Sequence, residues 1–108
     1  MTDLAALPAH LQALLNADKV VHEPARLALL LMLSEAEEIE FKFFERATGM
    51  TKGNLATHLG KLEEAGYIEV LKSFRGKVPV TSYRLTKPGS TALQRHRNLL
   101  AQLLPQPT

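Results

Sequence analysis

The chain of 108 residues contains no cysteine and no tryptophan. Without a thiol there is no disulfide, no thiolate metal site and no cysteine nucleophile, and such a composition fits a reducing cytoplasm. Aromatic residues are sparse, two tyrosines and four phenylalanines, and three of these, Phe41, Phe43 and Phe44, lie together. In so short a chain the cluster reads as core filler before a ligand box, because nearly all the aromatic content is needed to close one domain. No basic region followed by an apolar run opens the sequence, and no window approaches the roughly 18 apolar residues of a membrane span. A soluble, intracellular protein with no membrane partner is expected. The length suits a single domain, 1–108, and is too short for two cores.

A net charge of +2 says little about partners, but its distribution says more. From Thr48 to Lys87 there are seven cations (Lys52, Lys61, Lys72, Arg75, Lys77, Arg84, Lys87) against three carboxylates, whereas the remainder carries six against eight. Within the basic stretch, Leu55, Leu59, Leu62 and Ala65 recur at helical spacing and give one buried stripe, with Thr51 able to cap the start. The opposite face carries Lys52, Asn54, Thr57, His58 and Lys61. A compact helix over Phe41 to Ala47, with Phe43, Phe44 and Ala47 turned inward, ends near Gly49. A tight turn and a second helix over about 51–65 follow, which is a helix-turn-helix. The front of such a second helix reads base edges in the major groove, where Asn, Lys and Thr serve as donors or acceptors.

Gly66 supplies the left-handed residue that ends this helix. Tyr67 to Phe74 and Val80 to Leu85 alternate as strands, with Ile68 and Val70 on one face of the first and Thr81, Tyr83 and Leu85 on one face of the second. Between them Arg75-Gly76-Lys77-Val78-Pro79 forms a turn. A hairpin over 73–79 that exposes Arg75 and Lys77 beside a recognition helix is a wing, placed to touch phosphates or a minor groove. Lysine and proline there also protect a sheet edge. The helix-turn-helix immediately upstream favours the wing.

The flanks are leucine-striped. Leu4, Leu7, Leu11, Leu14 and Leu15 mark a first helix within 1–17, with Pro8 in its first turn. Pro24 opens a central core helix over Ala25 to Leu33, whose main polar exception is Arg26. The acidic run Glu35, Glu37, Glu38 and Glu40 marks a turn, followed by a very short strand at Ile39 to Phe41. Thr86 caps a last helix over 87–104 that includes Pro88, with a stripe of Ala92, Leu93, Leu99, Leu100, Leu103 and Leu104 ahead of Pro105 and Pro107. Two terminal helices with more leucine than the periphery of a monomer needs are material for a dimer interface.

This order resembles winged helix-turn-helix transcriptional regulators of the MarR/ArsR type: a mainly α fold with a small β-hairpin (α+β). The resemblance rests on His22-Glu23-Pro24-Ala25-Arg26-Leu27, Thr51-Lys52-Gly53-Asn54-Leu55, Leu62-Glu63-Glu64-Ala65-Gly66-Tyr67-Ile68 and Tyr83-Arg84-Leu85-Thr86-Lys87-Pro88-Gly89. It covers about residues 20–90. It implies a homodimer, with a repressor as the expected form, that binds double-stranded DNA at a near-palindromic operator, one recognition helix per half-site. The base-reading candidates it implies are Thr51, Lys52, Asn54, Thr57 and His58, and the wing candidates are Arg75 and Lys77. Lys61 completes the basic face. No metal or other cofactor is expected, since cysteine is absent and His10, His22, His58 and His96 are scattered without a two-ligand helical spacing. A small-molecule effector finds no support in the sequence. The acidic run near Glu38 has no histidine, serine or glycine loop beside it to complete a catalytic site, so no enzyme is expected. The alternative is a winged-helix module that binds protein instead of DNA, which would not need cations on both helix and hairpin.

Overall fold

A computed structural model describes residues 7–104. The elements follow in the order α1 (Ala9–Leu15), α2 (Pro24–Ser34), β1 (Ile39–Glu40), α3 (Phe41–Thr48), α4 (Lys52–Glu64), β2 (Ile68–Arg75), β3 (Val78–Leu85) and α5 (Lys87–Leu103). The three strands form one antiparallel sheet in the order β1-β3-β2. Ile39 pairs with Tyr83, and Tyr83 with Val70. Because strand side chains alternate between faces, Ile39, Tyr83, Val70, Ile68 and Leu85 share one face of the sheet. That face packs on the helices around Leu29, Leu30, Leu33, Phe44, Leu55, Leu59 and Leu62, all essentially fully buried. At ~1.5–3 kcal/mol for each such side chain taken out of water, this cluster is the dominant stabilising term.

Pro24 stands at the first position of α2, where its missing amide would have had no intrahelical partner. The cap is unusual: the Glu23 carboxylate accepts the backbone N–H of Arg26 at 2.8 Å. Gly49 and Gly66 adopt φ of 70° and 80° and end α3 and the turn after α4. The start of α5 is fixed at one point. The Thr86 hydroxyl donates to the Gly66 carbonyl at 2.6 Å and accepts the Gly89 N–H at 3.1 Å. Gly89 lies so close to this junction that a Cβ would fall 2.0 Å from the Tyr67 carbonyl oxygen, so only glycine fits there. The Tyr67 hydroxyl in turn donates to Asp18, whose other oxygen accepts the Val20 N–H at 2.9 Å. The connection before α2, the α4–β2 junction and α5 are thereby tied together.

Several local expectations shift. Pro8 is the residue before α1, not within its first turn, and Leu4, Pro105 and Pro107 lie outside the described residues. In α3, Phe44 is buried and Phe41 half-buried, but Phe43 and Ala47 are exposed. Residues 41, 44 and 48 share the inward face of that helix, and 43 and 47, four apart, point the other way. Ala65 caps α4 and is exposed, so the buried stripe ends at Leu62. The hairpin is tighter than expected. Arg75 and Val78 are already paired strand residues, and the turn is Gly76-Lys77 alone, with Gly76 at φ 65°. Pro79 is accommodated because β1 is two residues long, so this part of β3 has a partner on one side only.

Candidate nucleic-acid interface

α3, the turn at Gly49-Met50 and α4 make the helix-turn-helix, and Thr51 starts α4 by accepting the Asn54 N–H at 3.2 Å. With Leu55, Leu59 and Leu62 anchored in the core, the 100° step per residue points Gly53, Thr57 and Gly60 directly outward. Asn54 and Lys61 stand on one flank of that face, and Lys52 and Ala56 on the other. All seven are exposed. The Asn54 side chain makes no hydrogen bond among the described residues, whereas the Thr57 hydroxyl donates back to the Gly53 carbonyl at 2.9 Å. The middle of the face is therefore smooth, and polar groups stand at its rims. An added Cβ at Gly53 or Gly60 meets nothing within 4 Å, so the fold itself does not require glycine at either position.

His58 departs from the sequence reading. It is grouped there with the wet face, but its side chain is only 16% exposed and faces α2. Arg26 Nη1 donates to His58 Nδ1 at 3.2 Å, and the Glu23 carboxylate lies 3.6 Å from the same nitrogen. Arginine has no acceptor, so in the neutral ring Nδ1 accepts and the proton sits on Nε2, whereas in the protonated ring Nδ1 turns its proton towards Glu23. The physical reason is the buried Arg26, which also donates from Nε to the Val20 carbonyl at 2.7 Å and from Nη2 to the Lys19 carbonyl at 3.2 Å. It needs a further acceptor, and His58 supplies one from α4. Burial pushes the Glu23 carboxyl up, but the amides of Arg26 and Ala25 and the neighbouring His58 and Arg26 outweigh it and hold the group below the usual carboxylate range. His58 therefore positions α4 against α2.

The wing candidates also divide. Lys77 sits exposed in the two-residue turn, while Arg75, though largely exposed, is paired with Glu40. Residues 71, 73 and 75 lie on the sheet face that carries Glu40 and Ser82. Lys72 is on the opposite, helix-side face, its ammonium donating to the Thr81 hydroxyl at 3.2 Å. A groove between α3, the start of α4 and the hairpin is lined by Lys42, Lys52, Lys72 and Arg75, with Glu40 and Glu45. Nothing in the spacing of the sequence marks Lys42 and Lys72 as site residues; only the fold brings them beside Lys52. Among the described residues no group of three potential ligands comes together to hold a metal ion. Two of the scattered histidines do meet: His22 Nδ1 lies 3.2 Å from His96 Nε2, which is buried on α5.

A helix-turn-helix followed by a twisted hairpin is matched as a unit. Residues 25–104 fit the family described as the winged helix DNA-binding domain. The chain belongs to that family. An uncharacterized protein of Methanocaldococcus jannaschii is 34% identical over 86 residues, covering 79% of this chain and 92% of that protein. Among solved structures, a transcriptional regulator homologue from Pyrococcus horikoshii superposes with a TM-score of 0.81 at 22% identity, over 89% of this chain and 94% of that one. PadR of Bacillus subtilis, solved in complex with operator DNA, superposes with a TM-score of 0.58 at 21% identity, over 80% of this chain and 50% of that one. The resemblance to winged helix-turn-helix regulators thus holds, and the family is one of DNA-binding domains and not of enzymes. In this winged helix, moreover, no described helix is long and apolar enough to cross a membrane.

Proposed function

We propose that the protein is a sequence-specific transcriptional regulator, a repressor, that binds double-stranded DNA as a homodimer on a near-palindromic operator. The observation that carries this reading is the outer face of α4: Gly53, Thr57 and Gly60 at its centre let the helix backbone sink close to base edges, and Lys52, Asn54 and Lys61 stand ready at its rims. Thr51 holds the front of the helix. Lys77 and, once freed from Glu40, Arg75 reach for phosphates from the wing. A module that binds protein would have no use for cations on helix, groove and hairpin together. The operator-bound PadR structure supports the same use of the fold.

Dimerisation is supported by α1 and α5. None of the seven residues of α1 is buried, and Leu15 is 71% exposed. The helix runs along α5 without being covered, which leaves an apolar seam for a second copy. The molecule is elongated, 66 × 29 × 25 Å, with a radius of gyration of 17.0 Å where about 13 Å is usual for a chain of this length. Such a shape presents a long flank for pairing.

The test is Asn54→Ala on duplexes recovered by the parent protein from a random-sequence pool. An asparagine can pair bidentately with adenine, so affinity for the recovered duplex should fall by about 1–3 kcal/mol and affinity for unrelated DNA should scarcely change. Equal losses on both would remove Asn54 as a base reader.

A further inference from the structure

The tip of the wing carries apolar surface that neither the core nor the cations explain. Phe74 is 73% exposed and Val78 is 55% exposed. The register sets Phe74 opposite Pro79 and Lys72 opposite Thr81. By strand alternation these four continue the row of Ile68, Val70, Tyr83 and Leu85, the face that packs on the helices. Arg75 lies on the reverse, held by Glu40. On the helix-side face, then, the wing ends in a phenylalanine across the ladder from a proline, with Lys72 two residues behind Phe74 and Lys77 in the turn ahead. Folding gains nothing from a phenylalanine in water, and an apolar hairpin tip invites unwanted pairing between chains.

We propose that Phe74, backed by Pro79, is an apolar wedge that enters the minor groove next to the major-groove site of α4 and partly unstacks one base step. The inference rests on the DNA-binding reading above and adds to it a second, apolar point of sequence selection. Three features favour a duplex as the occupant. Pro79 lines the groove that Lys52 of α4 also lines, Lys72 and Lys77 bracket the tip with charge complementary to phosphates, and phenylalanine and proline are among the side chains that open base steps from the minor groove. Pyrimidine–purine steps such as TA and CA/TG unstack most easily, so the wing selects such a step in the flank of the site without a hydrogen bond to any base.

The experiment uses the full chain and a duplex recovered from a random-sequence pool, remade with either a TA or a GC step in the flank and with 2-aminopurine placed at that step. The parent should prefer the TA flank and raise the 2-aminopurine fluorescence. Phe74→Ala should abolish both effects and weaken binding about tenfold, with the salt dependence unchanged because the protein keeps all its charges. Phe74→Leu should retain most of each. Since the side chain is exposed, circular dichroism should show every variant folded. Unchanged affinity and fluorescence in Phe74→Ala, with the parent still binding, would overturn the wedge and leave the DNA reading standing. A parent that recovers no duplex above background would overturn both. A change in oligomeric state with Phe74→Ala, seen by light scattering, would assign the ring to an interface between copies and also overturn the wedge.

Discussion

Gly53 and Gly60 cost the fold something that the fold does not recover. An interior helical glycine is about 1 kcal/mol worse than alanine, neither residue has a left-handed backbone, and both have open space beyond Cα. Gly60→Ala should therefore stabilise the isolated protein by about 1 kcal/mol, and Gly53→Ala, in the first turn of α4, by less; both should weaken DNA binding by crowding the helix away from the groove. Thermal unfolding and a gel-shift titration of the same variants check this, and stabilised variants that bind DNA as well as the parent would show that α4 does not sit deep. His96 offers a second residue-level test. Burial lowers the pKa of its imidazole, the neighbouring His22 adds to this, and Asp18 opposes it. In the unfolded chain the group titrates near 6.5, so on acidification the unfolded state takes up a proton before the folded state does. Stability is full above that pH and falls as the pH drops through about 6.5 and below. Urea midpoints across this window should show a smaller decline in His96→Gln than in the parent, and parallel declines would locate the acid sensitivity elsewhere. At this scale the sequence is only partly legible. Asn54, Lys52, Lys61 and Thr51 follow from helical spacing, but the inward turn of His58 does not, because it answers the hydrogen-bonding demand of Arg26, which sits 32 positions earlier. The pairing of His22 with His96 spans 74 positions and is equally invisible without the fold.

At the scale of elements, signals with local causes are readable. Proline at the start of α2, threonine caps on α4 and α5, and glycines after α3 and α4 each place a boundary within a residue or two. Where the cause lies elsewhere in the chain, the sequence misleads. Phe43 and Phe44 are equally apolar, and only the direction of α3 against Tyr83 decides that Phe44 is the one buried. The hairpin reads as a five-residue turn from its Gly, Lys and Pro, whereas pairing persists to Arg75 and Val78. That difference changes what the wing does, because it moves Arg75 onto the face that meets Glu40. Removing one cation that neutralises a phosphate should flatten the slope of log affinity against log salt by about 0.9. Lys77→Ala removes one such contact from each subunit and should flatten the slope by about 1.8 for the dimer, on specific and unrelated duplexes alike. Arg75→Ala should show less, and Glu40→Gln, by freeing the guanidinium, should steepen the slope. An unchanged slope in Lys77→Ala would mean that the wing tip does not touch the backbone.

For the whole molecule, the fold brings one reading helix and one hairpin to the same side and leaves α1 along α5 without cover. In the proposed dimer each copy contacts half of a symmetric site, and the dyad sets two α4 helices in successive major grooves. The most direct measurement is a hydroxyl-radical footprint of the parent protein on a duplex recovered from a random-sequence pool. Two protected half-sites should appear, related by a dyad and centred about 34–36 Å apart, one helical turn of DNA, with protection on both strands that fades as salt is raised. A single protected stretch with no dyad, or no protection at a concentration where the protein is folded, would contradict the account of a dimer reading DNA through α4.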